Sequence, residues 1–150
     1  GYKVVDPRAK GARGETQIRD ALKTATGLKW ERTPGSGALD PKHNLKGDLY
    51  IVNCDNVFCV EVKNYEEDHL TSKILTSKDP QLLEWWSQAD RQAKQVNKKP
   101  LLIFKFNRSK MFVAFNDLPT THYKRITIND ELFVALLEDW LKYEKPEFVK

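Results

Sequence analysis

The sequence predicts an α/β fold in which helices flank a mixed β-sheet. Three observations carry this expectation. Helical and extended patterns alternate in the order α-β-β-β-α-β-β-α. Two pairs of β-branched and aromatic runs are split by short polar turns, as in hairpins. The 150 residues are 40% apolar, which suits about one domain with its own core. We therefore expect a single domain over 1–150. It divides into a basic N-terminal arm (1–14), a central body (15–116) and a C-terminal helical extension (117–150).

Residues 1–14 are polar and contain Pro7, Gly11 and Gly14, which reads as an arm. Glu15 to Thr26 reads as a helix, with Ile18, Ala21, Leu22 and Ala25 at helical spacing and Gly27 placed as a C-cap. Leu28 to Arg32 is a short extended segment. Residues 33–47 are Gly- and Pro-rich and read as a loop. Asp48–Val52 and Val57–Lys63 read as a hairpin around Asn53-Cys54-Asp55-Asn56. A long polar connection, 64–80, follows. Loops longer than about 12–15 residues in compact domains are usually functional or mobile.

Residues 81–98 read as a helix whose apolar stripe is Leu82, Trp85, Trp86, Ala89, Ala93 and Val96, stopped by Pro100. Leu101–Phe106 and Met111–Phe115 form a second hairpin around Asn107-Arg108-Ser109-Lys110. A last helix is expected from an Asn129 cap to about Tyr143. Its apolar face is Leu132, Phe133, Leu136, Leu137, Trp140 and Leu141.

Composition excludes several classes. No apolar run approaches the roughly 18 residues of a membrane span, and no signal-peptide pattern appears. Two cysteines, Cys54 and Cys59, make neither a disulfide framework nor a zinc site, so a reduced, cytoplasmic setting is expected. The formal charge is +4. From Arg91 to Asn116 there are seven basic residues and no acid, whereas from Asp117 onward five basic residues face seven acids. The first 116 residues thus carry +6, which suggests a body that faces a polyanion. A merely solvated basic face gives the same count.

The chemistry concentrates in Gly47-Asp48-Leu49-Tyr50-Ile51-Val52 and Phe58-Cys59-Val60-Glu61-Val62-Lys63. Strand side chains alternate, so Cys59, Glu61 and Lys63 share one face. A symmetric loop centred between Cys54 and Asp55 sets Asp48 opposite Glu61. Directly opposed Cβ atoms lie about 4.5–5.5 Å apart. Two carboxylates that close need a proton or a cation between them. A hard divalent ion such as Mg²⁺ suits them, and Lys63 lies about 7 Å along the same face. Together these groups could serve phosphodiester hydrolysis. The same spacing also fits a surface Asp–Glu–Lys salt-bridge cluster.

Asp48…Glu61-Val62-Lys63 resembles the signature of the PD-(D/E)xK nuclease superfamily. Within it, the sequence is most similar to archaeal-type Holliday junction resolvases and their phage-borne relatives. Lys10-Gly11-Ala12-Arg13-Gly14-Glu15 resembles the family's lead into its first helix. Trp30-Glu31-Arg32-Thr33-Pro34-Gly35-Ser36-Gly37 resembles its Arg-x-Pro-x-Ser-Gly loop, and Met111–Phe115 lies where a late family strand lies. The resemblance spans about residues 8–116.

It implies a restriction-endonuclease-like sheet with 15–116 as the nuclease core, and a Mg²⁺-dependent endonuclease acting on four-way junctions as a homodimer in DNA recombination or repair. Mn²⁺ is expected to substitute. Asp48, Glu61 and the Val62 carbonyl would be metal ligands, and Glu15 a water-mediated or second-metal ligand. Lys63 would position or activate the attacking water, and Ser36 would contact the scissile region. Lys10, Arg13 and Arg32 would join Ser36 in binding DNA, and Lys105, Arg108 and Lys110 at the second hairpin tip could clasp another DNA arm. Gln88 corresponds to a family glutamine near the site. The partner is branched double-stranded DNA, with no membrane and no nucleotide cofactor, in the host cytoplasm if the gene is phage-borne. Two alternatives stand: another nuclease on this fold (mismatch, flap or restriction type), and a non-catalytic DNA-binding module.

The sequence departs from the family at Gly47, where a proline is usual, and at Thr16, where an arginine is usual. Other residues have ordinary readings: Asp40 as a turn residue, His43 and His69 as solvated loop histidines, Cys59 and Tyr65 as packing. Of the adjacent Trp85 and Trp86, only one can be fully core, and the other would cover the long loop or an interface.

Overall fold

A seven-stranded mixed sheet runs through the computed structural model, in the order β1-β2-β3-β4-β5-β7-β6. The described residues are 7–34, 46–65, 80–106 and 110–150. For residues 7–13, 65, 80 and 106 the description covers the backbone. Ser36, Asp40, His43, His69 and Arg108, and the side chains of Lys10, Arg13 and Tyr65, lie outside the described residues. The elements are α1 (Pro7–Thr26), β1 (Trp30–Arg32), β2 (Leu49–Ile51), β3 (Phe58–Tyr65), α2 (Pro80–Gln95), β4 (Lys99–Phe106), β5 (Met111–Phe115), β6 (Arg125–Ile128) and β7 (Leu132–Leu136). A helical turn, α3 (Leu137–Asp139), then widens into a π-helix (Trp140–Glu144).

Among the described strands only β3 and β4 pair in parallel, and α2 lies between them in the chain. This is the crossover that a parallel pair requires. Both strands are covered on both faces, which explains their near-continuous apolar runs. Val60, Val62, Leu101 and Ile103 join Ile18 and Leu22 of α1 in one core. Leu102 and Phe104 join Leu82 and Ala89 of α2 in the other, and Cys59 packs on Ala93 and Val96. Glu61 therefore points to the α2 side, as the strand alternation predicts.

The helix ends follow local chemistry. Gly27 has φ +72°, and its N–H returns to the Lys23 carbonyl at 2.9 Å, closing α1 as a glycine C-cap should. At the end of α2, Asn97 is left-handed (φ 55°). The Lys98 N–H reaches the Ala93 carbonyl at 2.9 Å and the Asn97 N–H reaches that of Lys94 at 3.3 Å, a Schellman closure.

The β2–β3 hairpin has the expected register: Leu49 pairs with Val60, which sets Asp48 across from Glu61. Buried Asn56 holds its turn by bonding both backbone groups of Ile51. The chain end reinforces it, with the Val57 N–H donating to the Phe148 carbonyl at 2.9 Å.

Two expectations need correction. Helix α1 begins at Pro7, so part of the 1–14 arm is helical. Proline suits the first helical turn. Gly11 and Gly14, each costing about 1 kcal/mol against alanine in a helix, suggested otherwise. At Gly14 the missing Cβ admits Asn64, since a Cβ there would lie 3.3 Å from that of Asn64.

The second correction is larger. The Asn129-capped helix to Tyr143 is instead the β6–β7 hairpin followed by a short helical end. Asn129 and Asp130 both have positive φ, and the Glu131 N–H returns to the Ile128 carbonyl, so these residues turn the chain rather than cap a helix. Along β7, Leu132 and Val134 enter the α2-side core while Phe133 and Ala135 enter the α1-side core. That is period-two burial on both faces of an inner strand. Residues 125–136 thus belong to the sheet and not to a helical extension.

Candidate active site

The central pair stands at the entry to the short β2, where Asp48 lies, and on the long β3, which carries Glu61. Just before β2 the chain makes a close approach at Gly47, whose φ is +91°. A Cβ there would lie 2.5 Å from the Val60 carbonyl oxygen. Glycine is therefore required by space as well as by conformation. The approach lets the Asp48 N–H donate to the Val60 carbonyl at 2.7 Å. The Asp48 side chain then swings across β3, where its Oδ2 accepts the Val62 N–H at 2.7 Å.

Glu61 is 4% exposed. Burial pushes its carboxyl pKa up to about 8, the charge of Asp48 and a hydrogen bond with it push the same way, and Lys63 opposes them. Two acids thus meet in a place that disfavours two negative charges. Such a pair is stable with a proton or a cation between its members. The donor set fits a hard divalent cation, which takes few carboxylates and completes its shell with water. Among the described residues no third His, Cys, Asp or Glu joins the pair in a ligand cluster.

Glu15 stands outside such a cluster. Its Oε2 accepts from Arg32 Nε at 2.9 Å, so Arg32, expected on phosphate, is held at the edge of the site by an acid. Lys63 is half-buried, and its ammonium sits 5.9 Å from the Trp85 ring centroid. Trp85 and Trp86 both pack partly buried against the α2-side core, so neither is fully core; the long loop that one of them is expected to cover lies outside the described residues. Gln88 is half-buried on α2. Helical spacing places it on one stripe with Trp85, Gln92 and Gln95. Cys59 is packing, as expected, and burial raises its thiol pKa to about 12, with the charge of Glu61 adding to the shift.

Beside Asp48 opens a cleft of about 560 Å³ between α2 and the chain around β1 and β2. Arg32, Thr33, Lys46, Arg91 and Gln95 help line it. Sequence reading did not single out Thr33, Lys46 or Gln95 and met Arg91 only as part of a basic run. The polar stripe on α2 at the spacing of Gln88, Gln92 and Gln95 was the available signal.

The described cations of the second hairpin, Lys105 and Lys110, are elsewhere. Lys105 shares a strand face with Leu101 and Ile103, so it lies on the α1 side, where it donates to Gln17 Oε1 at 2.6 Å. Lys110 is ion-paired with Glu138 at 2.8 Å. The structure brings neither to the carboxylates. A separate cavity of about 390 Å³, lined by Phe58, Lys99, Phe115 and Trp140 among others, touches neither Asp48 nor Glu61.

The chain is 39% identical over 155 residues to Protein D14 of Escherichia phage T5, covering 96% of this chain and 97% of that one. Among solved structures it is similar to the Holliday junction resolvase Hjc of the archaeal hyperthermophile Archaeoglobus fulgidus, with 18% identity and a TM-score of 0.42 over 90% of this chain and 93% of that one. A family model described as "Phage putative PDDEXK endonuclease" matches residues 6–150. Since the match takes in both carboxylates and the whole sheet, the chain belongs to this phage PDDEXK endonuclease family, and it is a nuclease.

Proposed function

We propose that this nuclease is a divalent-metal-dependent endonuclease that cuts branched DNA, four-way junctions above all, as a homodimer. The observation that carries the chemistry is the buried approach of Asp48 to Glu61 with Lys63 on the same strand face. Asp48 and Glu61, with the Val62 carbonyl and Glu15 through water, would hold the ion, Mg²⁺ with Mn²⁺ as substitute. Bound there, it supplies Lewis acidity and lowers the pKa of water. The Val62 N–H fixes the Asp48 carboxylate. Lys63 offers its cation to the phosphate or the attacking water. Gln88, on α2, would be a polar neighbour of the pair, and Lys10, Arg13, Arg32 and Ser36 would grip the backbone.

The junction preference rests on the motif resemblance over residues 8–116. Four-way junctions are read by shape and backbone, so no base-reading helix is required. Two symmetric nicks need two sites, which a two-fold dimer provides. In this reading Lys105 and Lys110, away from the carboxylates, would meet a second DNA arm together with Arg108.

The test is cleavage of a four-way junction, a flap, a mismatch and a linear duplex of matched sequence, with Mg²⁺ and with EDTA. The junction should be cut first, with Glu61→Ala and Asp48→Ala at least about a hundredfold slower while still binding. Equal cutting of linear duplex would favour the second reading, a nuclease of restriction or trimming type. Normal cutting by either variant would remove the site.

A further inference from the structure

The cleft beside Asp48 holds an imbalance that the carboxylate pair does not explain. Three cations reach it: Arg32, Lys46 and Arg91. Arg32 is satisfied by Glu15. Lys46 donates to the neutral amide of Gln95 and has no carboxylate partner among the described residues. Arg91 is exposed, and among the described residues it has no ion-pair partner. Several cations elsewhere are neutralised by a carboxylate. Lys23 meets Glu31, Lys94 meets Asp90, Lys99 meets Asp117 and Lys110 meets Glu138.

Thr33 adds a second observation. Its backbone N–H donates to the Asp48 carbonyl at 2.9 Å, which fixes it against the site. Its Oγ1 is buried and, among the described residues, has no hydrogen-bond partner. Glu15 and Asp48 line the cleft too, but two of its cations pair with no described carboxylate, and with side-chain amides and an unsatisfied hydroxyl they are chemically matched to phosphodiester oxygens.

We propose that this cleft is a backbone subsite for the DNA strand being cut, with Arg91 and Lys46 holding a phosphate next to the one at Asp48 and Glu61, and Thr33 donating its hydroxyl to the same strand. It rests on the nuclease reading above and deepens it by placing the strand between α2 and the β1–β2 side of the site. Arg91 belongs to α2, so the helix that backs Glu61 would also grip substrate.

The experiment is fluorescence anisotropy of a labelled four-way junction and of a matched linear duplex, in EDTA so that nothing is cut. Arg91→Ala and Lys46→Ala should each weaken binding about tenfold and lower the slope of log affinity against log salt by about one, as expected for one lost phosphate contact. Lys94→Ala, three residues along α2 but ion-paired with Asp90, should change affinity less than about threefold. Wild-type affinity and slope in both Arg91→Ala and Lys46→Ala would overturn the subsite, even if the wild type cuts DNA normally. Conversely, loss of binding in these variants of a wild type that cuts no substrate in Mg²⁺ or Mn²⁺ would support the subsite and defeat the catalytic reading.

Discussion

Asn56 pairs with Ile51 as if it were a strand neighbour: its Oδ1 accepts the Ile51 N–H at 2.7 Å and its Nδ2 donates to the Ile51 carbonyl at 2.9 Å. Nδ2 also reaches the Cys54 carbonyl at 3.0 Å. One buried amide thus closes the turn that sets Leu49 on Val60, and with it Asp48 on Glu61. Asn56→Ala leaves two inward backbone groups without partners, at about 1–3 kcal/mol each. We expect urea unfolding to show a loss of about 2–4 kcal/mol, with Asn56→Asp intermediate because it keeps the acceptor. Cleavage by the folded fraction should fall as well, since the register carries the carboxylates.

Gly47 makes a sharper prediction. At φ +91°, with the Val60 oxygen 2.5 Å from where a Cβ would stand, alanine cannot be placed without moving β2 off β3. Gly47→Ala should cost at least about 1–3 kcal/mol and reduce cleavage more than tenfold. Gly47→Pro restores the residue usual in the resembling family but fixes φ near −65°. It should fail equally in this chain, as thermal melts and a junction assay would show. A stable, active Gly47→Pro would mean that the backbone here relaxes easily.

How far these features were legible beforehand depends on how local they are. The β2–β3 register follows from two short runs and the turn between them, so Asp48 and Glu61 could be paired from sequence. Helix α2 and strand β5 carry their own stop signals and periods. The C-terminal hairpin does not. In Leu132-Phe133-Val134-Ala135-Leu136-Leu137 an inner strand is apolar at every position, and a helical subset can be read out of it. What decides is burial on both faces, which depends on β5 and β6 lying alongside. The cleft was illegible for another reason: Arg32, Lys46 and Arg91 come from three separate segments.

Lys63 and Trp85 test positioning rather than chemistry. The ring lies 5.9 Å from the ammonium, within the range where an aromatic face attracts a cation by about 0.5–2 kcal/mol. Trp85→Phe should keep most activity, and Trp85→Leu should lower the single-turnover rate about three- to thirtyfold. Junction affinity in EDTA should stay within about twofold for both. If Trp85→Leu weakened binding and left the single-turnover rate intact, the tryptophan would be holding DNA rather than Lys63.

Glu61 links the pair to pH and to metal removal. Burial first, and then Asp48, raise its folded pKa from 4.5 to about 8, so the folded protein keeps a proton there that the unfolded chain releases. Between those values the native state binds more protons than the unfolded one, and stability falls as pH rises. In EDTA, the urea midpoint should therefore decline from about pH 5 to pH 8, and Glu61→Gln should flatten that decline and be the more stable protein at pH 8. A divalent ion competes with the proton for the same oxygens, so Mg²⁺ should raise the midpoint more at pH 8 than at pH 6. In Glu61→Gln that gain should largely vanish. A wild-type midpoint that rises through this window in EDTA, or a Mg²⁺ effect equal in wild type and Glu61→Gln, would show that the two carboxyl groups do not share a cation-binding place.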